Sequence, residues 1–128
     1  MLGAGFEQNI AIKYAQELGI KVIAVDGNKE AVGLKNADVG IISDIKNIKK
    51  ITDIGKKYQV NGVMTHGVEI PHIVSRVAKS LGVPGLKHDI ADRATDKLLR
   101  SECFKKNDIP SPNFIFANSS VDAIMKSK

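Results

Sequence analysis

The sequence predicts an α/β domain, a three-layer parallel sheet with helices on both faces. Three observations carry this. Short runs rich in β-branched residues alternate with stretches whose apolar residues recur at helical spacing, the rhythm of βα repeats. The run Lys21-Val22-Ile23-Ala24-Val25-Asp26 is apolar at consecutive positions, as in a strand covered on both sides. Gly3-Ala4-Gly5 stands directly before the first helical stretch, where a Rossmann-like sheet makes a tight strand-to-helix turn. A length of 128 residues suits one domain, or one domain and the beginning of another.

Taken in order, Met1-Leu2 reads as the end of a first strand. A strand commonly has about 5–6 residues. The expectation is therefore that upstream residues are missing or the strand is unusually short, leaving a sheet position that another chain could occupy. A helix follows over residues 6–18, with Ile10, Ala11, Tyr14, Ala15 and Leu18 on one apolar face and Gly19 as its C-cap. Residues 21–26 are the second strand, Gly27-Asn28 a turn, and residues 39–42 a third strand. Asp44 is placed to cap a helix running to about residue 58, with Ile48, Ile51 and Gly55 inward. Residues 62–65 form a fourth strand. Residues 70–81 form a helix with Pro71 in its first turn, a dense apolar stripe, and Gly82 as cap. Val83-Pro84-Gly85 is a short fifth strand or an extended link. A helical turn over 88–92, a helix over 95–107, a strand over 113–117 and a helix over 120–126 complete the chain. The composition shifts near residues 86–94, which divides the chain into a domain at 1–88 and the opening of a second unit at 89–128.

Composition narrows the function classes. The net charge of +5 comes from 16 Lys and 3 Arg spread along the chain. Aromatic residues make up 5% and the arginines do not cluster, which argues against a nucleic-acid surface. Solvated helix faces explain the lysines, and an anionic small ligand fits them equally well. No apolar run approaches the roughly 20 residues of a membrane span. No basic segment followed by an apolar one marks secretion, and the single cysteine, Cys103, has no partner in the chain, so a reducing cytoplasm is expected. Cys103 lies mid-helix beside Phe104 and reads as a buried core thiol.

The candidate site gathers at the ends of the strands. Gly3-Ala4-Gly5-Phe6-Glu7-Gln8 has the form G-x-G-x-x-Q. Its first glycine permits a tight turn, its second lets a ligand approach the backbone, and the following helix offers free N–H groups to an anion. Gln8 stands where the dinucleotide fingerprint has a third glycine. Asp26 ends the second strand about 20 residues on, where such folds hold a ribose-binding acid. It also suits a simple turn, as does Asn28. His66, Gly67 and Glu69 follow the fourth strand and line the same crevice. Glu69 alternatively serves the helix macrodipole, and His66 a surface loop. His66, His72 and His88 lack metal-ligand spacing, and no arrangement for nucleophilic catalysis stands out.

These segments resemble a known family. Residues 1–8, 22–28, Ala37-Asp38 and residues 61–69 occur in the order seen in the N-terminal domain of ATP-grasp enzymes. The likeness continues through Leu81-Gly82-Val83-Pro84-Gly85 and Ala94-Thr95-Asp96-Lys97, and ends at Ile109-Pro110-Ser111-Pro112. The pattern is most similar to the carbamoyl-phosphate-synthase-like members. Asp108 stands where a glycine is common, and Asp tolerates the same left-handed turn. The resemblance implies the start of an ATP-grasp subdomain after residue 88. It also implies a ligase that uses ATP and Mg2+ to activate a carboxylate and couple it to an amine. Gly3, Gly5, Phe6, Gln8, Asp26, Asn28, His66, Gly67 and Glu69 would then form the wall for a small carboxylate or amine substrate, and Lys97 would lie near the nucleotide. Lys97 also reads as an ordinary helix lysine. The family's second nucleotide lysine, glycine-rich flap and late acidic Mg2+ ligands have no counterpart in these residues. The chain is therefore expected to be an N-terminal fragment, inactive alone, holding no catalytic residue and binding neither ATP nor Mg2+ tightly. A NAD- or nucleotide-binding domain, and a non-catalytic sensing or oligomerisation module with a second copy as partner, are the alternatives.

Overall fold

The strands and helices of the chain follow from how it buries its apolar residues, seen in a computed structural model that describes residues 1–127. The elements are α1 (Phe6–Glu17), β1 (Ile23–Asp26), α2 (Val32–Asn36), β2 (Val39–Ile42), α3 (Ile48–Lys57), α4 (Pro71–Leu81), α5 (His88–Thr95), α6 (Lys97–Lys106) and α7 (Ser120–Lys126). β1 and β2 pair in parallel, Ile23 opposite Val39 and Asp26 opposite Ile42. On the other side of β1, Leu2 bridges Val25, and Thr65 bridges Leu2, both in parallel. The spatial order is thus β2, β1, Leu2, Thr65. The central position is held by Met1-Leu2 through Val25 N–H to Met1 O at 3.0 Å, Gly3 N–H to Val25 O at 2.8 Å and Leu2 N–H to Met64 O at 2.8 Å.

Side chains leave this small sheet on both faces. Val22 and Ala24 pack with Ala4, Ile12 of α1 and Ala31 beside α2. Leu2 and Val25 pack with Ile51 of α3 and with Ile70, Ile73 and Val77 on or beside α4. Gly82 closes α4 with φ +70°, and Gly19 follows α1 with φ +75°, both in the left-handed region that glycine enters without a Cβ clash. No helix of the described residues is long and apolar enough to cross a membrane.

Several expectations are corrected. The sheet has two paired strands, not four to six. Residues 62–65 join the sheet only through the single bridge of Thr65 with Leu2 and the Leu2 N–H to Met64 O bond. Residues 83–85 take the second of their two expected forms, an extended link, since Pro84 has no N–H for a ladder and Gly85 runs against α4, where an added Cβ would meet Ala78 Cβ at 2.7 Å. Residues 113–117 are extended without a neighbouring strand, and Phe114, Ile115 and Phe116 are exposed. α1 buries Gln8, Asn9 and Ile12, so the supposed inner face of Ile10, Tyr14 and Leu18 is exposed, Leu18 at 79%. The cap of α3 is Asn47, whose Oδ1 accepts Lys50 N–H at 3.1 Å. Asp44 instead closes its own turn by accepting Lys46 N–H at 2.8 Å. The helix expected over 95–107 breaks at Asp96, whose carboxylate accepts Leu98 N–H at 2.8 Å and Leu99 N–H at 3.0 Å and starts α6 afresh. The turn expected at 88–92 extends into α5. α6 buries no residue, so Cys103 is only half-buried.

The Met1 ammonium donates to Ile23 O at 2.8 Å, and burial lowers its pKa from 8.0 to about 6. The unfolded chain therefore holds a proton that the folded chain sheds between these values. Stability of a polypeptide beginning at Met1 should rise from pH 6 to pH 8 by on the order of 2 kcal/mol. Chemical denaturation across that range measures it, and acetylating the amine should flatten the profile.

Candidate functional site

The glycine turn is shaped by the strands on either side of it. Gly3 leaves the central position with φ +91°, a conformation costly for a residue with a Cβ. Ala4, fully buried, then directs its N–H at Asp26 Oδ2, 2.7 Å away. Gly5 is the N-cap of α1 and supplies no side-chain cap to the first-turn N–H groups, and such a helix end favours an anion. Behind the turn, Gly33 N–H donates to Ala4 O at 2.7 Å, and a Cβ at Gly33 would collide with that same carbonyl oxygen at 2.7 Å.

Asp26 joins this turn to the next. Its Oδ2 accepts Ala4 N–H, and its Oδ1 accepts Asn28 N–H at 2.8 Å. Asn28 in turn accepts Glu30 N–H at 3.0 Å on its own Oδ1. Thus Asp26 acts as a clasp between the two turns.

The third wall is the 65–69 loop. Thr65 Oγ1 donates to Leu2 O at 2.8 Å, and Gly67 turns with φ +65°. Gln8, only 7% exposed, reaches across from α1 and donates Nε2–H to His66 O. Gln8 is therefore turned inward, and it brings His66, Gly67 and Val68 beside the glycine turn. His66, Gly67, Glu69, Asn28 and Phe6 are exposed, Phe6 at 77%. One residue escaped the sequence reading: the Glu7 carboxylate lies against Gly67, at the place a side chain there would fill. The G-x-G-x-x-Q spacing puts Glu7 on the first turn of α1, and that position was the available signal. Replacing Gln8 by Glu sets a carboxylate against the His66 carbonyl in a buried position. About 1–3 kcal/mol of stability should be lost, with faster amide hydrogen exchange confined to residues 65–69. An unchanged exchange rate there would contradict the clasp.

The structure brings Gly3, Gly5, Gln8, Asp26 and the 66–69 loop together, and it places Lys97 elsewhere. Lys97 is the exposed first residue of α6, which packs mainly on α5. Among the described residues no three His, Cys, Asp or Glu side chains converge as a cation site.

Comparison with known proteins bears on the fold. No protein-family profile and no curated protein sequence matches the chain. Solved structures do. The phosphoribosylglycinamide synthetase of Anaerococcus prevotii matches 94% of this chain with a TM-score of 0.77 and 28% identity, over 31% of its own length. The N5-carboxyaminoimidazole ribonucleotide synthetase of Thermotoga maritima matches 98% with a TM-score of 0.72 and 24% identity, over 34% of its length, a likeness of fold alone. The match is to the N-terminal region of ATP-grasp enzymes. The chain spans about a third of the length of either synthetase.

Proposed function

We propose that this chain forms the acceptor-substrate wall of an ATP-grasp ligase that joins a carboxylate to an amine. Residues 1–88 are the substrate-side domain in this reading, and residues 89–128 a linking helix and the beginning of the grasp domain. The observation that carries it is one crevice. The Gly3–Gly5 turn, the end of β1 at Asp26 and the loop at 66–69 meet at the carboxyl ends of parallel strands, the usual ligand position of such sheets. The similarity to the phosphoribosylglycinamide synthetase suggests an acceptor bearing a phosphoribosyl group. The uncapped start of α1 suits its phosphate, and Glu7 and Glu69 suit an amine. Likeness to the carbamoyl-phosphate-synthase-like members rests on the order of the motifs.

Weighing against a dinucleotide site, both Asp26 oxygens already accept backbone N–H groups, and the Gln8 side chain fills the place of the third glycine. In this reading ATP, Mg2+ and the activation step are handled by parts of the ligase other than these residues. The 128-residue polypeptide should accordingly show no Mg2+-dependent ATPase activity above background in a phosphate-release assay. Calorimetry decides between ligands. Phosphoribosylglycinamide should bind in the millimolar range or better while NAD gives no heat, and tight NAD binding would overturn the proposal.

A further inference from the structure

A second cavity, of about 300 Å3, opens between α4 and the start of α5. Ser75, Lys79, Leu86, Lys87 and His88 line it, and no residue of the glycine crevice does. Its floor is the Ser75 hydroxyl, with the residue 1% exposed. Ser75 Oγ lies 2.7 Å from Leu86 O and 2.7 Å from His88 Nδ1. A carbonyl only accepts, so the single hydroxyl proton goes to Leu86 and His88 Nδ1 must carry a hydrogen and donate to Oγ. The imidazole is held in one orientation, and its Nε2 has no partner among the described residues.

The unpaired charges around it have one sign. Lys79 and Lys87 are exposed and make no ion pair among the described residues. The two carboxylates of α5 are engaged: Asp92 takes both Arg76 guanidinium nitrogens at 2.8 and 3.0 Å, and Asp89 pairs with Arg93 at 2.9 Å. No acidic residue lines the cavity. Two free ammonium groups around a space of this size match a compact, doubly charged anion, and His88 Nε2, an acceptor once Nδ1 carries the hydrogen, suits a hydroxyl of the anion or of its ester.

We propose that this cavity binds a phosphate-bearing anion, at a site separate from the glycine crevice. The test is a titration of the isotopically labelled full chain with inorganic phosphate, and in parallel with ribose 5-phosphate, followed by amide and imidazole chemical shifts. Chloride keeps the ionic strength constant. Saturable shifts at Lys79, Lys87 and His88, with a Kd of about 1–10 mM, are expected. Equal affinities show that the inorganic ion alone is read; tighter ribose 5-phosphate binding shows an ester. The exposed lysines permit a Lys79→Gln, Lys87→Gln double variant that keeps the fold, and it should bind about tenfold more weakly. Absence of saturation, an unchanged Kd in that variant, or shifts confined to Gly3, Gly5 and Phe6 would each overturn the proposal. The last would leave the acceptor-wall reading standing.

Discussion

Alanine in place of Gly40 should destabilise the fold by about 3 kcal/mol, the upper end of what overpacking costs. The added Cβ would lie 2.8 Å from the Leu34 carbonyl carbon and 3.0 Å from Leu34 Cα, and nearer still to the carbonyl oxygen. These are backbone atoms and cannot swing aside as a side-chain tip does. α2 would have to lift away from β2. α2 also carries Gly33, whose N–H holds Ala4 O of the glycine turn, so the damage should reach the crevice. Urea denaturation of the variant measures the loss. A midpoint unchanged within error would contradict the packing of α2 on β2.

The second large effect belongs to Asp26. Hydrogen bonds to a charged acceptor contribute about 1.5–3 kcal/mol each. Asp26 accepts two, at 2.7 and 2.8 Å, from a half-buried position. Asp26→Ala should cost on the order of 3 kcal/mol. Asp26→Asn should be no better, because its NH2 must face one of the two backbone N–H groups. Loss of the Ala4 bond also frees the glycine turn, so binding in the crevice should fall at least about tenfold, measured by calorimetry under conditions where the variant is folded. An Asp26→Asn protein as stable as the parent would show that the clasp is not formed.

How much of this was legible in the sequence depended on whether the cause was local. Gly19 and Gly82 punctuate their helices through their own backbone freedom, and α4 shows a stripe that really is buried. α1 misled because its inner face is partly polar. Gln8 and Asn9 are buried by bonds to partners far along the chain, His66 O and Asn36 Nδ2, and periodicity counts such residues as outward. Phe6, Ile10, Tyr14 and Leu18 were left exposed in consequence. α2 has five residues, too few for a helical period, and the need for glycine at 33 and 40 lies in contacts with Ala4 and Leu34. The strand ends that carry Asp26 and His66 were readable, whereas the Ala4 and Gln8 bonds that fix them were not.

The central claim is that Gly3, Gly5, Asp26 and the 66–69 loop form one binding surface. Its most direct test is chemical-shift mapping of the 128-residue chain titrated with phosphoribosylglycinamide. The account predicts saturable perturbations clustered at Gly3, Gly5, Phe6, Asp26, His66, Gly67 and Glu69, with Lys97 unmoved. Perturbations centred elsewhere, or none at millimolar ligand, would contradict it.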